Sequence, residues 1–261
     1  MISKLQDFRI AKLSLHEIYL FVKMQLHQFV LWARKHTLKT IVYAFFAIAT
    51  LQYLVLPNNS LQALKKENPN RTALMKQRIR EADAEHKPFS ISQKWVPLYN
   101  ISPHLIHAVI VSEDGTFYEH GGVDWYELEE SIEKNLEKGK AARGGSTISQ
   151  QLAKNLYLST SKDPLRKLKE LVITLRMERQ LSKKRILEIY LNIIELGNGV
   201  FGIEAASRKY FGKSAANLTR QEAAQLAAVI PSPLKHQPNV LSKYVARRSS
   251  IILERMSARG Y

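Results

Sequence analysis

Apolar residues form one long uninterrupted run near the start of the chain. Residues 40–56, TIVYAFFAIATLQYLVL, are seventeen positions without a charge, and a helix of this length extends roughly 25 Å, close to the about 30 Å core of a bilayer. The run is apolar on every side and precedes Pro57 and Asn58. It predicts a transmembrane helix, with a buried core helix as the alternative. A cleaved signal peptide is disfavoured because the preceding leader has 39 residues and no small-x-small site follows.

The residues before this run carry an excess of positive charge. Seven lysines and arginines face only Asp7 and Glu17, which gives 7 − 2 = +5 for residues 1–39. Basic segments stay on the cytoplasmic side of a membrane. We therefore expect a cytoplasmic leader at 1–39, a transmembrane helix at 40–56 and an extracytoplasmic remainder. The apolar residues of Leu5–Trp32 fit either a helix along the membrane surface or a plain juxtamembrane helix.

Beyond the span, the pattern changes to helical spacing with clear start and stop signals. Residues 57–94 have scattered polar residues and prolines, which predict a stalk and lead-in, and the body is predicted at 95–261. From 165 to 196, apolar residues recur at intervals of three and four, and no convincing alternating strand is present. The expected fold is therefore mainly α.

Several residues mark the expected ends of these helices. Proline at the first helical position, Ser/Thr caps and capping boxes indicate starts, whereas glycine and a following proline indicate stops. The predicted starts are Ser102-Pro103, Thr147 with Gln150, Asp163-Pro164, Ser182, and Thr219 with Glu222, and the predicted stops are Gly139, Gly212 and Pro231.

Composition narrows the range of functions. With 261 residues and 45% hydrophobic content, the chain can bury a proper core. Its net charge of +16 fits a nucleic-acid binder or a protein that works against anionic lipids and phosphates. It has no cysteine, which excludes disulfides, cysteine-ligated zinc and thiol catalysis. Any catalysis would use oxygen and nitrogen groups.

Three polar stretches are candidates for chemistry. In SEDGTFYEHGGVDW, residues 112–125, Glu113 falls at a predicted helix C-terminus, where the helix dipole disfavours a carboxylate; an exposed loop acid is the alternative. In RGGSTISQQLAKN, residues 143–155, glycines lead into a capped helix whose free amides suit a phosphate. A flexible loop before a polar helix gives the same pattern, and the spacing is not that of a P-loop. In DPLRKLKE, residues 163–170, Arg166 and Lys167 share a helix face with Glu170, as in a surface salt bridge.

Together these stretches resemble the motifs of the peptidoglycan glycosyltransferase family. EDGTFYEHGGVD is similar to the first motif, ED-x-x-F-x-x-H-x-G, GGSTISQQLAKN to the second and RKLKE to the third. KKRILEIYLN, residues 183–192, is similar to the fourth, K-x-x-I-L-E-x-Y-L-N, while Arg247-Arg248 and SSIILERM resemble the fifth with one extra residue. The resemblance covers roughly residues 95–256. It implies a lysozyme-like, mainly α domain with two lobes and a cleft.

The resemblance also implies a reaction and roles for named residues. Lipid II would be polymerised into β-1,4-linked glycan with inversion, and undecaprenyl pyrophosphate would be released. Glu113 matches the general base for the acceptor hydroxyl, and Glu170 matches the second carboxylate, where a divalent cation (Mg²⁺ or Mn²⁺) is compatible; no organic cofactor is expected. We expect Asp114 to support Glu113 or the cation, and His120 with Phe117 to organise the loop. Glu188 and Tyr190 are expected to pack the lobes or to support the site residues indirectly, at positions that the motif makes sensitive. The expected substrate and pyrophosphate contacts are Asp114, Arg143, Ser146, Thr147, Gln150, Gln151, Lys154, Asn155, Arg166 and Lys167.

Other functions were weighed against the same residues. Muramidases and lytic transglycosylases share such folds and a catalytic Glu, but their substrates carry no phosphate to bind. The presence of both Glu113 and Glu170 disfavours a silent scaffold, and nucleic-acid binding is disfavoured because most basic residues would lie outside the cytoplasm. The one S-x-x-K match, Ser159–Lys162, has no K-T-G partner, so we expect no transpeptidase activity.

The monofunctional subfamily suggests a location and partners. We expect a single-pass protein of the bacterial inner membrane with a periplasmic catalytic domain. Expected partners are lipid II, the growing lipid-linked glycan, membrane lipid, cell-division or elongation proteins and other cell-wall synthases. We also expect hydrophobic residues of Val240–Leu253 to hold the cleft at the membrane.

Overall fold

The computed structural model describes residues 15–37, 39–43, 46, 50, 58–137, 145–158 and 164–261, in two compact units, 1–56 and 57–261. In the first unit, helix α1 spans Leu15–Lys35 and exposes large apolar side chains such as Leu20 and Phe21. Most of the predicted span at 40–56 lies outside the described residues and stays a prediction. Among the described residues, no helix is both long and apolar enough to cross a membrane.

The second unit is mainly helical, as predicted. Short 3₁₀ turns lie at Leu98–Asn100 and Ala215–Asn217. Its elements in chain order are α2 Asn58–Ala63, α3 Ala73–Ala84, β1 Ser92–Gln93, α4 Pro103–Glu113, α5 Trp125–Glu137, α6 Ile148–Tyr157, α7 Pro164–Gln180, α8 Lys183–Ile193, β2 Glu195–Gly197, β3 Val200–Phe201, α9 Ile203–Phe211, α10 Arg220–Val229 and α11 Lys243–Ala258.

The predicted helix signals coincide with the observed helix ends. Both capping boxes form, with Thr147 and Thr219 each accepting from the backbone amide three residues later. Ser182 caps α8, and Gly212 ends α9 in the left-handed conformation, φ +69°. Gly139 and Asp163 lie outside the described residues. Short polar side chains at the first turn therefore fix where these helices begin.

The helices of this unit form two packing groups. In the first, α10 packs against both α4 and α11. Its residues 223–229, AAQLAAV, are all buried, and the small alanines allow the neighbouring helices to approach closely. In the second, α6 packs against α3, α7 and α8. The C-terminal end of α4 carries Glu113 and α7 carries Glu170, the two residues predicted to be catalytic, so the two groups together build that region.

A small sheet corrects the expectation that the body contains no strand. The strand order is β1-β3-β2, with β1 parallel and β2 antiparallel to β3. Ser92 pairs with Val200, and Glu195 pairs with Phe201. Strands of two or three residues are too short to produce an alternating pattern, which is why the sequence does not reveal them.

The segment predicted as a stalk and lead-in belongs to the same compact unit as the body. Leu61 and Met75 are fully buried, and Met75 packs in an apolar cluster with Phe201 of β3. Arg78 of α3 donates from Nε and Nη2 to the two oxygens of Glu195, both at 2.8 Å. The segment lacks a long apolar stripe because its buried apolar residues are divided between two short helices and the turn after the first.

Helix α8 holds this segment from the other side. Arg185 donates from Nε to the carbonyl of Leu64 and from Nη2 to the carbonyl of Glu67, both at 2.8 Å. Asn192 brackets the backbone of Val96 in both directions, accepting from its amide and donating to its carbonyl at 2.8 Å. Both residues belong to the KKRILEIYLN stretch, so that motif attaches the lead-in to the body.

Candidate active site

Glu113 is the last residue of α4, as predicted, and its side chain is 8% exposed. Its Oε2 accepts a hydrogen bond from Gln151 Nε2 at 3.0 Å. Its Oε1 accepts from Ser112 Oγ at 3.1 Å and lies 3.5 Å from Arg248 Nη2. The carboxylate is thus held by residues of α4, α6 and α11.

Gln151 is itself held by a buried tyrosine. Tyr190 of α8 is fully buried, and its hydroxyl donates to Gln151 Oε1 at 3.0 Å. Burial raises the pKa of Tyr190 well above its ordinary value, and the charges of Glu113 and Asp114 raise it further. The phenol therefore keeps its proton and acts as a donor.

The C-terminal end of α4 also receives two further arginines. Arg255 Nη1 donates to the carbonyl of Val111 at 3.4 Å, and Arg259 Nη1 donates to the carbonyl of Gly115. Cations are favoured at the negative end of a helix dipole, where backbone carbonyls lack partners. Together with Arg248, these residues place three positive charges at the C-terminal end of α4, where Glu113 lies.

Asp114 and His120 tie the loop after α4 to the start of α6. Asp114 Oδ2 accepts from the backbone amide of Ile148 at 2.9 Å, and its Oδ1 lies 2.9 Å from His120 Nε2. His120 Nδ1 accepts from the amide of Gly122 at 3.1 Å. Because Nδ1 is an acceptor, the proton of the neutral ring is on Nε2, which donates to Asp114. Both oxygens of Asp114 therefore accept from protein donors, the Ile148 amide and the His120 ring.

Gly122 allows this loop to lie directly on α7. Its φ is +102°, and a Cβ at this position would lie 2.8 Å from both Thr174 Cγ2 and Glu178 Cγ. Only glycine fits both the backbone conformation and the space. The hydroxyl of Thr147 donates to the Gly122 carbonyl at 2.7 Å, which fixes the loop beside the start of α6.

Glu170 is the second buried carboxylate of the region. Its side chain is 4% exposed, and its Oε2 lies 3.3 Å from Arg166 Nη1. Lys167 forms an ion pair with the other oxygen and also donates to Ser146 Oγ at 3.3 Å. The spacing predicted from the sequence therefore does produce these pairs along α7.

Lys154 lies within the field of both carboxylates. Desolvation, together with the charges of Arg166 and Lys167, lowers its pKa. Glu170 and Glu113 oppose this effect, but the pKa stays below its ordinary value. Among the described residues, no carboxylate lies within ion-pairing distance of its ammonium group. A partly buried cation without an ion pair is suited to an anionic ligand.

The family model named Transglycosylase matches residues 80–257, which include all of these site residues except Arg259. The chain belongs to the transglycosylase family. Proteins named biosynthetic peptidoglycan transglycosylase are similar over most of their length. The one from Nitrosospira multiformis is 48% identical over 73% of this chain and 83% of its own. The one from Chromobacterium violaceum is 48% identical over 74% and 85%. The resemblance inferred from the motifs is confirmed.

Some residues predicted to contact the substrate make other contacts in this transglycosylase, and one lies outside the described residues. Gln150 is buried and closes the capping box with Thr147, so both are engaged at the helix start. Asn155 follows Lys154 on α6 and is partly buried. Arg143 lies outside the described residues. Gln151, by contrast, directly contacts Glu113.

Sequence reasoning left the roles of two residues of the transglycosylase site open or unassigned. Tyr190 was expected to pack the lobes or to support the site indirectly, and its hydroxyl reaches Glu113 through Gln151. Arg248 had no assigned role, although it lies beside Glu113. The only available signal for Arg248 was its resemblance to the fifth motif.

The described residues do not fit a divalent cation held by the protein near Glu170. The side chains nearest to that carboxylate are the cations Arg166 and Lys167. Within the described ranges, no group of three or more histidines and carboxylates is placed to hold a metal ion. Mg²⁺ is usually held by one or two carboxylates together with substrate phosphates and water, so a cation at the pyrophosphate stays a prediction and no step is assigned to it.

A cavity of about 320 Å³ lies elsewhere on this transglycosylase. It is lined by the β2–β3 turn, the end of α9 and residues 233–239, including Lys209, Tyr210 and His236. It shares no residue with the predicted site. We therefore place the candidate active site around Glu113, Lys154 and Glu170.

Proposed function

We propose that this transglycosylase polymerises lipid II into β-1,4-linked glycan strands, with inversion at the donor sugar and release of undecaprenyl pyrophosphate. It is a glycosyltransferase of peptidoglycan synthesis, and the specific substrate and stereochemistry are the proposal. The observation that carries it is the position of Lys154, a cation that lies in the field of Glu113 and Glu170 and has no ion pair among the described residues. This reaction needs a base next to a positively charged site that binds an anion.

In the proposed step, Glu113 accepts a proton and one bond replaces another. The C4 hydroxyl oxygen of the acceptor sugar attacks C1 of the donor and forms the new glycosidic bond. Glu113 takes the hydroxyl proton. The bond between C1 and the phosphate oxygen breaks, and its electron pair leaves with the pyrophosphate. Attack from the face opposite the leaving group converts the α-linked donor into a β-linked product.

The negative charge that develops on the pyrophosphate needs positive partners. Lys154, Arg166 and Lys167 lie around Glu170 and supply them. In this proposal Glu170 holds Arg166 and Lys167 in position by its ion pairs. Preorganised charges of this kind, aimed at developing charge, are usually the largest single contribution to an enzymatic rate.

The same cationic group argues against cleavage of glycan as the main activity. A muramidase or lytic transglycosylase uses a catalytic Glu but has no phosphate on its substrate. A site with several cations beside the glutamate would then bind nothing with them. No residue feature described above calls for transpeptidase activity, and we propose none.

We further propose that the protein is held in the bacterial inner membrane by residues 40–56, with its catalytic domain in the periplasm. The uncharged run and the +5 leader support this orientation. Val240 and Leu241 are 53% and 66% exposed and support contact of the catalytic domain with lipid. Cell-division or elongation proteins and other cell-wall synthases are the proposed partners.

The test is polymerisation of labelled lipid II by the purified full-length protein in detergent. We expect a polymer that muramidase digests, and its loss in Glu113→Gln. Glu170→Gln should also lose activity, because Arg166 and Lys167 lose their partner. Cleavage of preformed glycan without any polymerisation would overturn the proposal and favour the lytic reaction.

A further inference from the structure

We propose that Tyr190 and Gln151 are positioning residues for Glu113: the tyrosine hydroxyl fixes the orientation of the glutamine amide, which in turn fixes the carboxylate. This assignment rests on the proposed function, because it concerns the base of that reaction. It gives Gln151 a role different from the expected contact with substrate. It also gives a chemical role to a fully buried tyrosine.

The two amide atoms of the Gln151 side chain have different partners. A primary amide has an oxygen that accepts and a nitrogen that donates, and the two ends have nearly the same shape. Gln151 directs Nε2 to Glu113 Oε2 and Oε1 to the Tyr190 hydroxyl, each at 3.0 Å. With the amide turned over, its oxygen would face the ionised carboxylate and both atoms would be acceptors. The carboxylate only accepts, so it selects the orientation with Nε2 towards Glu113, and the Tyr190 hydroxyl supplies the donor that Oε1 then needs to stay in place.

Burial makes this orientation costly to lose. Tyr190 has no exposed surface, so water does not replace its hydroxyl as the donor to Gln151. An unpaired buried oxygen costs about 1–3 kcal/mol, which is enough to release the amide to other conformations. The three residues lie on α4, α6 and α8, so the two hydrogen bonds also connect the two packing groups.

The two oxygens of Glu113 consequently have different surroundings. Gln151 occupies Oε2, whereas Oε1 lies beside Ser112 and Arg248, whose side chain is 34% exposed. The charged and titratable groups near Glu113 or the end of its helix are Asp114 after α4, Lys154 on α6, Tyr190 on α8, Arg248 and Arg255 on α11, and Arg259 directly after it.

The first test removes only the hydroxyl. In Tyr190→Phe, assayed as full-length protein with lipid II, we expect kcat to fall about 5- to 10-fold with KM unchanged, as for the loss of one buried hydrogen bond. Tyr210→Phe is the matched control, because its hydroxyl donates to the Leu196 carbonyl at 3.1 Å, outside the site. The control should keep its kcat. An unchanged kcat in folded Tyr190→Phe would overturn the assignment.

The second test uses charge and does not depend on the first. Gln151→Glu places a second carboxylate beside Glu113, and like charges favour uptake of a proton. We expect the acidic limb of the kcat–pH profile to move upward by about one pH unit or more. Gln221→Glu adds the same charge at an exposed position of α10 and should leave the limb in place. A limb that does not move in Gln151→Glu would contradict the contact with Glu113.

The proposed function and the positioning roles are contradicted by different results. If the wild-type protein makes no polymer, the proposed function fails and the positioning roles fail with it. If the wild-type protein polymerises lipid II but Tyr190→Phe and Gln151→Glu behave like their controls, only the positioning roles are overturned.

Discussion

Replacement of Lys154 by methionine tests whether the cation serves binding or stability. The folded chain partly buries this ammonium group, which has no ion pair within the described part of the chain, and desolvation lowers its pKa below the ordinary 10.5. Because the pKa is lower in the folded chain, the unfolded chain binds the proton more strongly. The charge therefore reduces stability at pH 7, and this destabilisation disappears as pH rises towards 10.5. Methionine keeps the length of the side chain and removes the charge. We expect Lys154→Met to be about 1 kcal/mol more stable than wild type at pH 7.

Activity should change in the opposite direction. Removal of one preorganised donor to a developing oxyanion typically costs about 2.7–4 kcal/mol, which corresponds to roughly a 10²- to 10³-fold fall in kcat. The assay is the initial rate of lipid II polymerisation at saturating substrate, beside the urea midpoint of the same preparation. Lys184→Met is the matched control, since Lys184 is exposed on α8. It should change neither quantity appreciably.

One result would refute this reasoning. If Lys154→Met loses stability while its kcat remains near that of wild type, Lys154 supports the fold and does not bind the leaving group. A second observation follows from the sign of the pKa shift. The stability difference between Lys154→Met and wild type should become smaller as pH rises from 7 to 10, because the wild-type charge is progressively lost.

Three further substitutions test other parts of the structure. Arg185→Met removes hydrogen bonds to the carbonyls of Leu64 and Glu67 and should lower the free energy of unfolding by about 2 kcal/mol in urea titrations; an unchanged midpoint would mean that the lead-in is not held by α8. Gly122→Ala introduces a Cβ at φ +102° against Thr174 and should cost about 2 kcal/mol or more, seen as a lower Tm. Asp114→Asn weakens the acceptor for the Ile148 amide and should cost about 1–2 kcal/mol, while a wild-type Tm would count against that contact.

Local signals predicted the helical part of the fold well. Thr147, Ser182 and Thr219 mark helix starts through bonds to amides within the next turn, so three or four residues of sequence are enough to identify them. The sheet was missed because β1 and β3 have two residues each and are defined by pairing across the chain. The packing of residues 58–94 was missed for a related reason, since Arg78 finds Glu195 only in three dimensions.

The candidate site shows the same limit at the level of single side chains. Gln150 and Gln151 are adjacent and chemically identical, and the motif treats them alike. They point about 100° apart around α6, so one closes the capping box and the other reaches Glu113. Glu113 and Glu170 were identified from motifs, whereas Arg248 reaches the site through the packing of α11 on α4.

The arginines at the end of α4 have a consequence for biogenesis. Arg255 contacts Val111 across 144 residues of sequence, and Arg259 contacts Gly115 across the same separation. During translation, α4 leaves the ribosome long before these arginines are synthesised. Until then the carbonyls at its end meet only water or other proteins, and Glu113 has no Arg248 beside it. Catalytic competence should therefore arise late on the nascent chain, which limits reaction with substrate before the domain is folded.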